Sequence, residues 1–299
     1  MAYILCGGSK ATVTIDGVEI EEDMSLVTDG VIDASVSTLP YVFARGSSVV
    51  FKDELHILGG VDNTTKHYKL NGTSWTSVST LPYYFIDSEA VVYQDGIHIM
   101  GSSNSTYYKA HYKYNGTSWT NIGDLPYDFS DSSVMVHQDA INILGSNRSD
   151  YAKYHYKYNG SSWTSVSTLP YVFAQGAAVI FKDELHILGG VGSTTKHYKL
   201  NGATWTSVST LPYEFRQSSA VVLDDEIHIM GSGNSSYQKY HYKYNGATWT
   251  NIGDLPYTFY QSEAVVYKDA INILGSNVSS YSKYHYAIQR TIYTKGGAA

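Results

Sequence analysis

Histidine is the residue whose recurrence first suggests chemistry in this sequence. Six similar segments each place a histidine directly before a tyrosine: His67, His111, His155, His197, His241 and His285. Imidazole is a common metal ligand, so this set raises the question of a metal site. A closed repeat would, however, place one copy in each unit and keep the rings apart. We therefore predict that they pack between repeats with one ring nitrogen hydrogen-bonded, and we predict no metal site.

A second polar series is expected to behave in the same way. It lies inside a predicted strand of each unit and comprises His56, His98, His186 and His228, which alternate with Asn142 and Asn272.

Charged side chains are the other candidates for chemistry. Asp87, Asp131, Arg45 and Arg216 follow copies of one Leu-Pro-Tyr phrase and could face one another across a central axis. Nothing in the sequence selects one of them as acid or base, and no unit carries an unrepeated cluster of acid, base and nucleophile. We therefore predict no catalytic residues, no cofactor and no enzymatic activity.

Composition narrows the function classes. The chain has 299 residues, a formal net charge of -7 and no Lys/Arg cluster, which argues against nucleic acid as a partner. No apolar run approaches the roughly 20 residues that span a bilayer, so we expect no membrane insertion. The opening residues lack the regions of a signal peptide, and we expect none. The single cysteine, Cys6, cannot form an internal disulfide.

The elements that must position these residues repeat along the chain. All six prolines occur in the phrase Leu-Pro-Tyr-x-Phe, at steps of 42 or 44 residues. Residues 39–168 and 169–298 form two copies of a cassette of three units. Repeats of this length suit a propeller blade of four strands or, alternatively, a helical array.

Each unit has the pattern of strands. Ser47–Gly60 contains two β-rich runs around a turn, and Lys66–Val78 contains two more around Asn71-Gly72. Apolar spacing of three and four is absent, which disfavours helices. We predict an all-β, six-bladed propeller of four-stranded antiparallel blades over 39–299. The blades begin near residues 39, 81, 125, 169, 211 and 255.

The pattern resembles kelch repeats. The hallmarks are a strand ending in Gly-Gly, then a tyrosine, then a tryptophan seven residues later. Gly-Gly occurs at Gly59-Gly60 and Gly189-Gly190, and Gly-Ser replaces it in the other units. The tryptophans are Trp75, Trp119, Trp163, Trp205 and Trp249. The resemblance implies a propeller with these residues in structural roles. It also implies a minority enzymatic alternative, since copper radical oxidases and sialic acid epimerases share the fold.

Two regions outside the regular blades leave alternatives open. Asp33–Pro40 and Thr291–Lys295 could each supply the outer strand of the sixth blade, and we favour the C-terminal one because Tyr293 aligns with the tryptophans. Residues 1–38 form a short β-rich segment with a predicted hairpin about Asp16-Gly17. This segment either caps the ring or docks the propeller onto a larger assembly.

Differences between the six units gather on one predicted face. The links after Leu-Pro-Tyr and the loops between second and third strands vary, whereas the turns on the other face repeat an Asp or an Asn-Gly. Tyr beside Ser, Asn and Gly is typical of binding loops, although drifting polar turns would look the same. The predicted ligand-binding residues are Tyr41, Arg45, Tyr84, Asp87, Tyr107, Asp131, Arg148, Tyr151, Arg216, Tyr237, Tyr260 and Tyr281.

These observations favour a non-catalytic binding protein. A repeated face suits a repetitive ligand, because several weak contacts combine. We expect an attachment protein that recognises a cell-surface glycan or protein, with analogy to adhesins of the phage virion or tail (baseplate or receptor-binding components) docked through residues 1–38. An intracellular kelch-type interaction scaffold is the first alternative, and a sugar-acting enzyme of kelch fold is the second. The expected location is the virion, or otherwise the cytoplasm.

Overall fold

The computed structural model describes most of the chain. The described residues are 4–6, 10–15, 18–25, 35–62, 64–104, 106, 108–148, 150, 152–192, 195–234, 236, 238–278, 280, 282–289 and 294–295. Nothing in this part of the chain is a helix with the length and apolar character that crossing a bilayer demands.

Six four-stranded antiparallel sheets form the blades, as the sequence predicts. Blade 1 contains β5 (Ser47–Phe51), β6 (Glu54–Leu58), β7 (Lys66–Asn71) and β8 (Ser74–Thr80). Blade 2 contains β9 (Glu89–Tyr93), β10 (Gly96–Met100), β11 (His111–Tyr114) and β12 (Trp119–Asn121). Blade 3 contains β13 (Ser133–His137), β14 (Ala140–Leu144), β15 (Tyr154–Tyr158) and β16 (Trp163–Thr168).

The second half of the ring repeats this arrangement. Blade 4 contains β17 (Ala177–Phe181), β18 (Glu184–Leu188), β19 (Lys196–Asn201) and β20 (Thr204–Thr210). Blade 5 contains β21 (Ser219–Leu223), β22 (Glu226–Met230), β23 (Tyr240–Tyr244) and β24 (Trp249–Asp254). Blade 6 contains β25 (Glu263–Tyr267), β26 (Ala270–Leu274), β27 (Tyr284–Gln289) and β4 (Ser37–Thr38).

The first strand of each blade lies innermost. Each of these strands lies beside the first strands of both neighbouring blades, and β25 lies beside β5, so the ring closes. The turn that follows each first strand has two central residues with positive φ, such as Lys52 (52°) and Asp53 (60°). This is the geometry of a type I′ hairpin turn, whose twist matches that of the strands. The recurrent Asp is therefore a turn residue.

The core lies between the blades. The phenylalanine of each Leu-Pro-Tyr-x-Phe phrase is 0% exposed, and it packs with apolar residues of the blades on both sides. Burying one such ring stabilises the fold by about 1.5–3 kcal/mol. Six equivalent buried rings therefore join neighbouring blades around the disc.

The Gly-Gly and Gly-Ser pairs differ for a geometric reason. The first glycine has φ near +63° in every blade, as at Gly59 and Gly189, and a Cβ there would lie 1.9 to 2.3 Å from a phenylalanine carbonyl of the next blade. The second position is freer. Gly60 and Gly190 have positive φ, whereas a serine such as Ser102 bonds the carbonyl of Tyr84 at 3.1 Å. The weakened doublet is therefore compatible with the blade.

The sixth blade corrects one prediction. Its outer strand is β4, which pairs with β27 through Thr38 opposite Tyr284 and Ser37 opposite His285. The predicted closure by the C-terminal strand is wrong, because β28 (Thr294–Lys295) pairs instead with β3. Tyr293, on which that prediction relied, lies outside the described residues.

A seventh sheet lies outside the blades. It contains β1 (Ile4–Cys6), β2 (Lys10–Ile15) and β3 (Val18–Ser25), with β28 beside β3. β2 and β3 pair across residues 16–17, although the predicted Asp16-Gly17 turn itself lies outside the described residues. Because β4 belongs to blade 6, the boundary placed at residue 38 falls inside the propeller.

Candidate functional site

One end of the disc collects the varying segments. In each antiparallel blade the inter-blade link and the loop between the second and third strands lie at the same end, and the type I′ turns lie at the opposite end. We call the first end the variable face. It comprises the links after each Leu-Pro-Tyr phrase, the loops between second and third strands, and the first residue of each third strand.

The centre of the variable face is closed by main-chain hydrogen bonds. In each link one residue donates its N–H to the carbonyl of the equivalent residue in the preceding blade, at 2.7 to 2.9 Å. The six residues of this axial ring are Arg45, Asp87, Asp131, Gln175, Gln217 and Gln261. All six have φ between 48° and 58°, in the left-handed region. The ring holds their side chains around the propeller axis.

The side chains of the axial ring bring together three of the predicted residues. Arg45 donates two hydrogen bonds to Asp87, one from Nε at 2.7 Å and one from its terminal nitrogen. Asp131 accepts hydrogen bonds from Gln175 at 2.6 Å and from Asn147 at 3.2 Å. The expectation that charged side chains of different blades meet over the axis is met by Arg45 and Asp87.

Two glutamates lie just below the axial ring. Glu89 and Glu263 line both a cavity of about 70 Å³ at the ring and the channel of about 450 Å³ that continues along the innermost strands. Burial, and then the charge of Glu263, holds the pKa of Glu89 well above its usual range. Burial likewise raises the pKa of Glu263. Both shifts favour the protonated, neutral form of these carboxyl groups, because burial penalises the charged form.

Asp131 is also perturbed. Burial, and then the charge of Asp87, raises its pKa to about 6, against opposing effects of the Gln175 hydrogen bond and Arg45. The axis thus carries several carboxyl groups and one guanidinium. Among the described residues no three His, Cys, Asp or Glu side chains are arranged to hold a metal ion.

The histidines are held by hydrogen bonds inside the blades and not between them as predicted, because both ring nitrogens of members such as His67 are bonded within one blade. His67 bonds His56 through Nε2 at 2.8 Å and the Ser79 hydroxyl through Nδ1 at 2.8 Å. In blades 3 and 6 an asparagine replaces the first histidine, as where Asn142 bonds His155 at 2.9 Å. Burial lowers the pKa of all ten of these histidines to about 3 or 4. They are neutral structural groups at pH 7.

The tryptophans join neighbouring blades. Each is half-buried in a fourth strand and lies 5.6 to 5.9 Å from a histidine ring of the preceding blade. Four of their indole groups donate to a serine of that blade at 2.9 to 3.1 Å. The tryptophans therefore have the structural role that the repeat pattern indicates.

The remaining predicted binding residues divide by burial. Tyr84 is 42% exposed, whereas Tyr41 is 5% exposed and its hydroxyl donates to the Gly59 carbonyl at 2.9 Å. Tyr41 therefore has a packing role, and it is left out of the candidate site. Arg148 is exposed and lies over the Tyr108 ring, with 4.7 Å between guanidinium and centroid. Arg216 and Tyr260 are half-buried beside the axial ring. Four further tyrosines lie outside the described residues: Tyr107, Tyr151, Tyr237 and Tyr281.

A groove next to Tyr84 contains residues that the sequence analysis did not single out. It has a volume of about 600 Å³ and is bordered by Val42, Asp62, Lys66 and, from blade 6, Lys283. The two cassettes are nearly identical, but Gly192 replaces Asp62 and Glu214 replaces Tyr84 in the second copy. A comparison of the cassettes position by position would have marked Asp62.

Exposed apolar side chains also concentrate on the variable face. Six large apolar residues among those described are at least 36% exposed: Val42, Tyr84, Val92, Tyr154, Val172 and Tyr284. Val92 lines the channel, and the other five belong to the links or to the starts of third strands. Val92 is the one of the six that lies towards the opposite end, two residues before the turn residue Gln94.

Comparisons with known proteins support the fold and leave the family open. No protein-family model matches the sequence, and no curated protein matches it. The solved structure of YjhT matches with a TM-score of 0.73 and 16% sequence identity, covering 85% of this chain and 96% of that one. Likeness at this identity carries the β-propeller fold alone. The kelch resemblance therefore stays a prediction.

Proposed function

We propose that this protein is a non-catalytic binding protein whose variable face recognises a cell-surface glycan or protein. The observation that carries the proposal is the concentration of exposed apolar side chains at that end of the disc. Exposed apolar groups cost free energy in water, and Val42 and Tyr84 lie together at one groove of this face, as at an interaction site. The opposite end repeats one type I′ turn six times and offers no comparable variety.

The six blades form a rigid platform, and this supports the proposal. Six blades present six links and six loops at fixed spacing, so a ligand with repeating units can engage several of them together. Aromatic side chains beside short polar ones make contact area at low entropic cost. A virion attachment role, with the seventh sheet as the docking element, is the form of this function that we favour.

Binding of the labelled full chain to bacterial cells and to a surface-glycan array tests the proposal. Arg148→Ala and Arg216→Ala on the variable face are expected to weaken saturable binding without changing the thermal midpoint by more than a few degrees. Asp95→Asn and Asp225→Asn are the matched controls, because asparagine tolerates the positive φ of these turns. Equal loss in the controls would contradict the assignment of faces. Absence of binding to every cell and glycan would favour an intracellular scaffold.

A further inference from the structure

We propose that the groove beside Tyr84 is a subsite for one pyranose residue of a saccharide ligand. The inference rests on the proposed function and narrows it, since it selects a glycan over a protein. The groove belongs to the variable face and is built from four neighbouring segments: the links to blades 1 and 2 and the loops of blades 1 and 6. Its volume of about 600 Å³ falls within the range of small-ligand sites.

Tyr84 supplies the platform. Its side chain is 42% exposed, while the adjoining Phe85 is 0% exposed and anchors the link in the core. The main chain is fixed as well, because the Tyr84 carbonyl accepts a hydrogen bond from the Ser102 hydroxyl at 3.1 Å. An exposed aromatic ring on a fixed main chain offers an apolar surface at little entropic cost. The apolar C–H face of a pyranose is complementary to such a ring.

Groups of both charge signs border the same groove. Asp62 and Lys283 are exposed, and the Lys66 ammonium lies over the ring of Tyr41, 4.9 Å from its centroid. A sugar hydroxyl both donates and accepts hydrogen bonds, so adjacent hydroxyls can donate to a carboxylate and accept from an ammonium. One exposed aromatic ring, that of Tyr84, beside mixed charges suits a polyhydroxylated ring better than an apolar peptide segment.

The second cassette contains a natural comparison. The equivalent groove keeps its floor, since Lys196 lies over the Tyr171 ring at 5.2 Å and Val172 is 45% exposed. It lacks the platform, because Glu214 stands at the position of Tyr84 and bonds Asn234 at 2.7 Å. The Asp62 carboxylate has no counterpart, because Gly192 stands at its position and the Glu214 carboxylate is bonded to Asn234. We therefore infer one complete subsite per molecule.

The test uses the full chain and methyl pyranosides of glucose, galactose, mannose and N-acetylglucosamine. Saturation-transfer NMR is expected to label the C–H protons of at least one probe, and calorimetry to give one site. Tyr84→Ala is expected to weaken that binding tenfold or more, and Tyr84→Phe to retain most of it. Glu214→Ala is the matched control and is expected to leave the affinity unchanged.

A gain-of-site variant makes the test sharper. Gly192→Asp with Glu214→Tyr copies the first groove into the second, and Gly192 has φ +70° where Asp62 has +65°, a conformation that aspartate tolerates. The stoichiometry is expected to rise from one to two. Cell or array binding that depends on Arg148 and Arg216 but not on Tyr84, with no labelled pyranoside, would overturn this inference and leave the proposed function standing. Absence of all cell and array binding would instead overturn the proposed function.

Discussion

The indole N–H of Trp119 donates to the Ser79 hydroxyl of the preceding blade at 3.1 Å. That hydroxyl also bonds the Nδ1 atom of His67, at 2.8 Å. One serine therefore joins the interior of one blade to the outer strand of the next. Blades 2 and 5 have Gly123 and Gly253 at the corresponding place and join their neighbours without it.

Ser79→Ala removes this junction. The buried His67 and the half-buried Trp119 each lose a partner, so we expect the free energy of unfolding to fall by about 1–3 kcal/mol. Denaturant unfolding measures the change. The matched control is Ser77→Ala, an exposed position on the same strand, where a change within about 0.5 kcal/mol is expected. Equal effects at the two positions would mean that the junction adds nothing.

The ten buried histidines predict steep acid unfolding. Their folded-state pKa values of about 3 to 4 lie below the usual 6.5, so the stability they contribute is complete above pH 6.5 and is lost as the pH falls towards 4. Each group changes the unfolding free energy by about 1.4 kcal/mol per pH unit, so ten groups together change it by up to about 14 kcal/mol per pH unit. Asp131 acts oppositely, because its raised pKa makes its contribution decline as the pH rises through 6. Burial also raises the pKa of Glu89 and Glu263, so these two groups act in the same direction as Asp131. Three carboxyl groups cannot offset ten imidazoles, and tryptophan fluorescence should report unfolding between about pH 6 and 4.

Replacing the second-strand histidines with asparagine tests whether the buried histidines cause the acid unfolding. Asn142 already takes this role, donating to the Ala140 carbonyl at 3.1 Å and bonding His155. The combined change of His56, His98, His186 and His228 to Asn should lower the acid midpoint and reduce proton uptake on unfolding from about ten to about six. The half-buried His137, which is not one of the ten, serves as control through His137→Asn. An unchanged midpoint in the fourfold variant would contradict the explanation.

The axial ring predicts a coupling between Arg45 and Asp87. Arg45→Gln introduces the residue that blades 4, 5 and 6 carry at this position, but it leaves the Asp87 carboxylate without its cation. We expect a loss of about 1–3 kcal/mol, since hydrogen bonds to charged groups are the stronger class. Adding Asp87→Gln should recover part of that loss. A double-mutant cycle by urea unfolding measures the interaction, and additive effects would argue against it.

Blade closure by β4 predicts which end of the chain can be shortened. Removal of residues 1–34 keeps β4 and should leave the thermal midpoint of the propeller nearly unchanged. Removal of residues 1–38 deletes Ser37, which bonds His285 at 2.8 Å and Trp75 at 2.9 Å, and should lower the midpoint by roughly 5–10 °C. Removal of residues 290–299 is the control. A larger loss from the control than from the longer N-terminal deletion would restore closure by the C-terminus.

The blade architecture follows from the sequence because each determinant is local. A proline that cannot donate to a ladder, two-residue turns and alternating apolar residues together fix four strands and their order. The alignment of Tyr293 with the tryptophans favours closure by the C-terminus, whereas the phrase Ser35–Pro40, which repeats Ser77–Pro82, marks the strand that closes the blade. In the structure Ser37 performs the role of Ser79.

The site could be predicted only in part. The sequence predicts that Arg45 and Asp87 lie near the axis. It does not predict the ring of main-chain hydrogen bonds, because the positive φ values of that ring occur at Arg, Asp and Gln and not at glycine. Tyr41 and Tyr84 have the same side chain, but the structure shows that Tyr41 is buried and Tyr84 is exposed. The groove joins Asp62 to Lys283, and their proximity depends on how the ring closes.

The pairing of β4 with β27 has a kinetic consequence. The contact between Ser37 and His285 closes a loop of 248 residues, whose entropic cost is about 5 kcal/mol by the logarithmic estimate. Every other blade is assembled from contiguous chain, so closure of the sixth is expected last in folding. Until then the edge of β27 is open to a β4 segment from another molecule. Refolding at high concentration therefore favours reciprocal exchange of this strand and dimers linked through it.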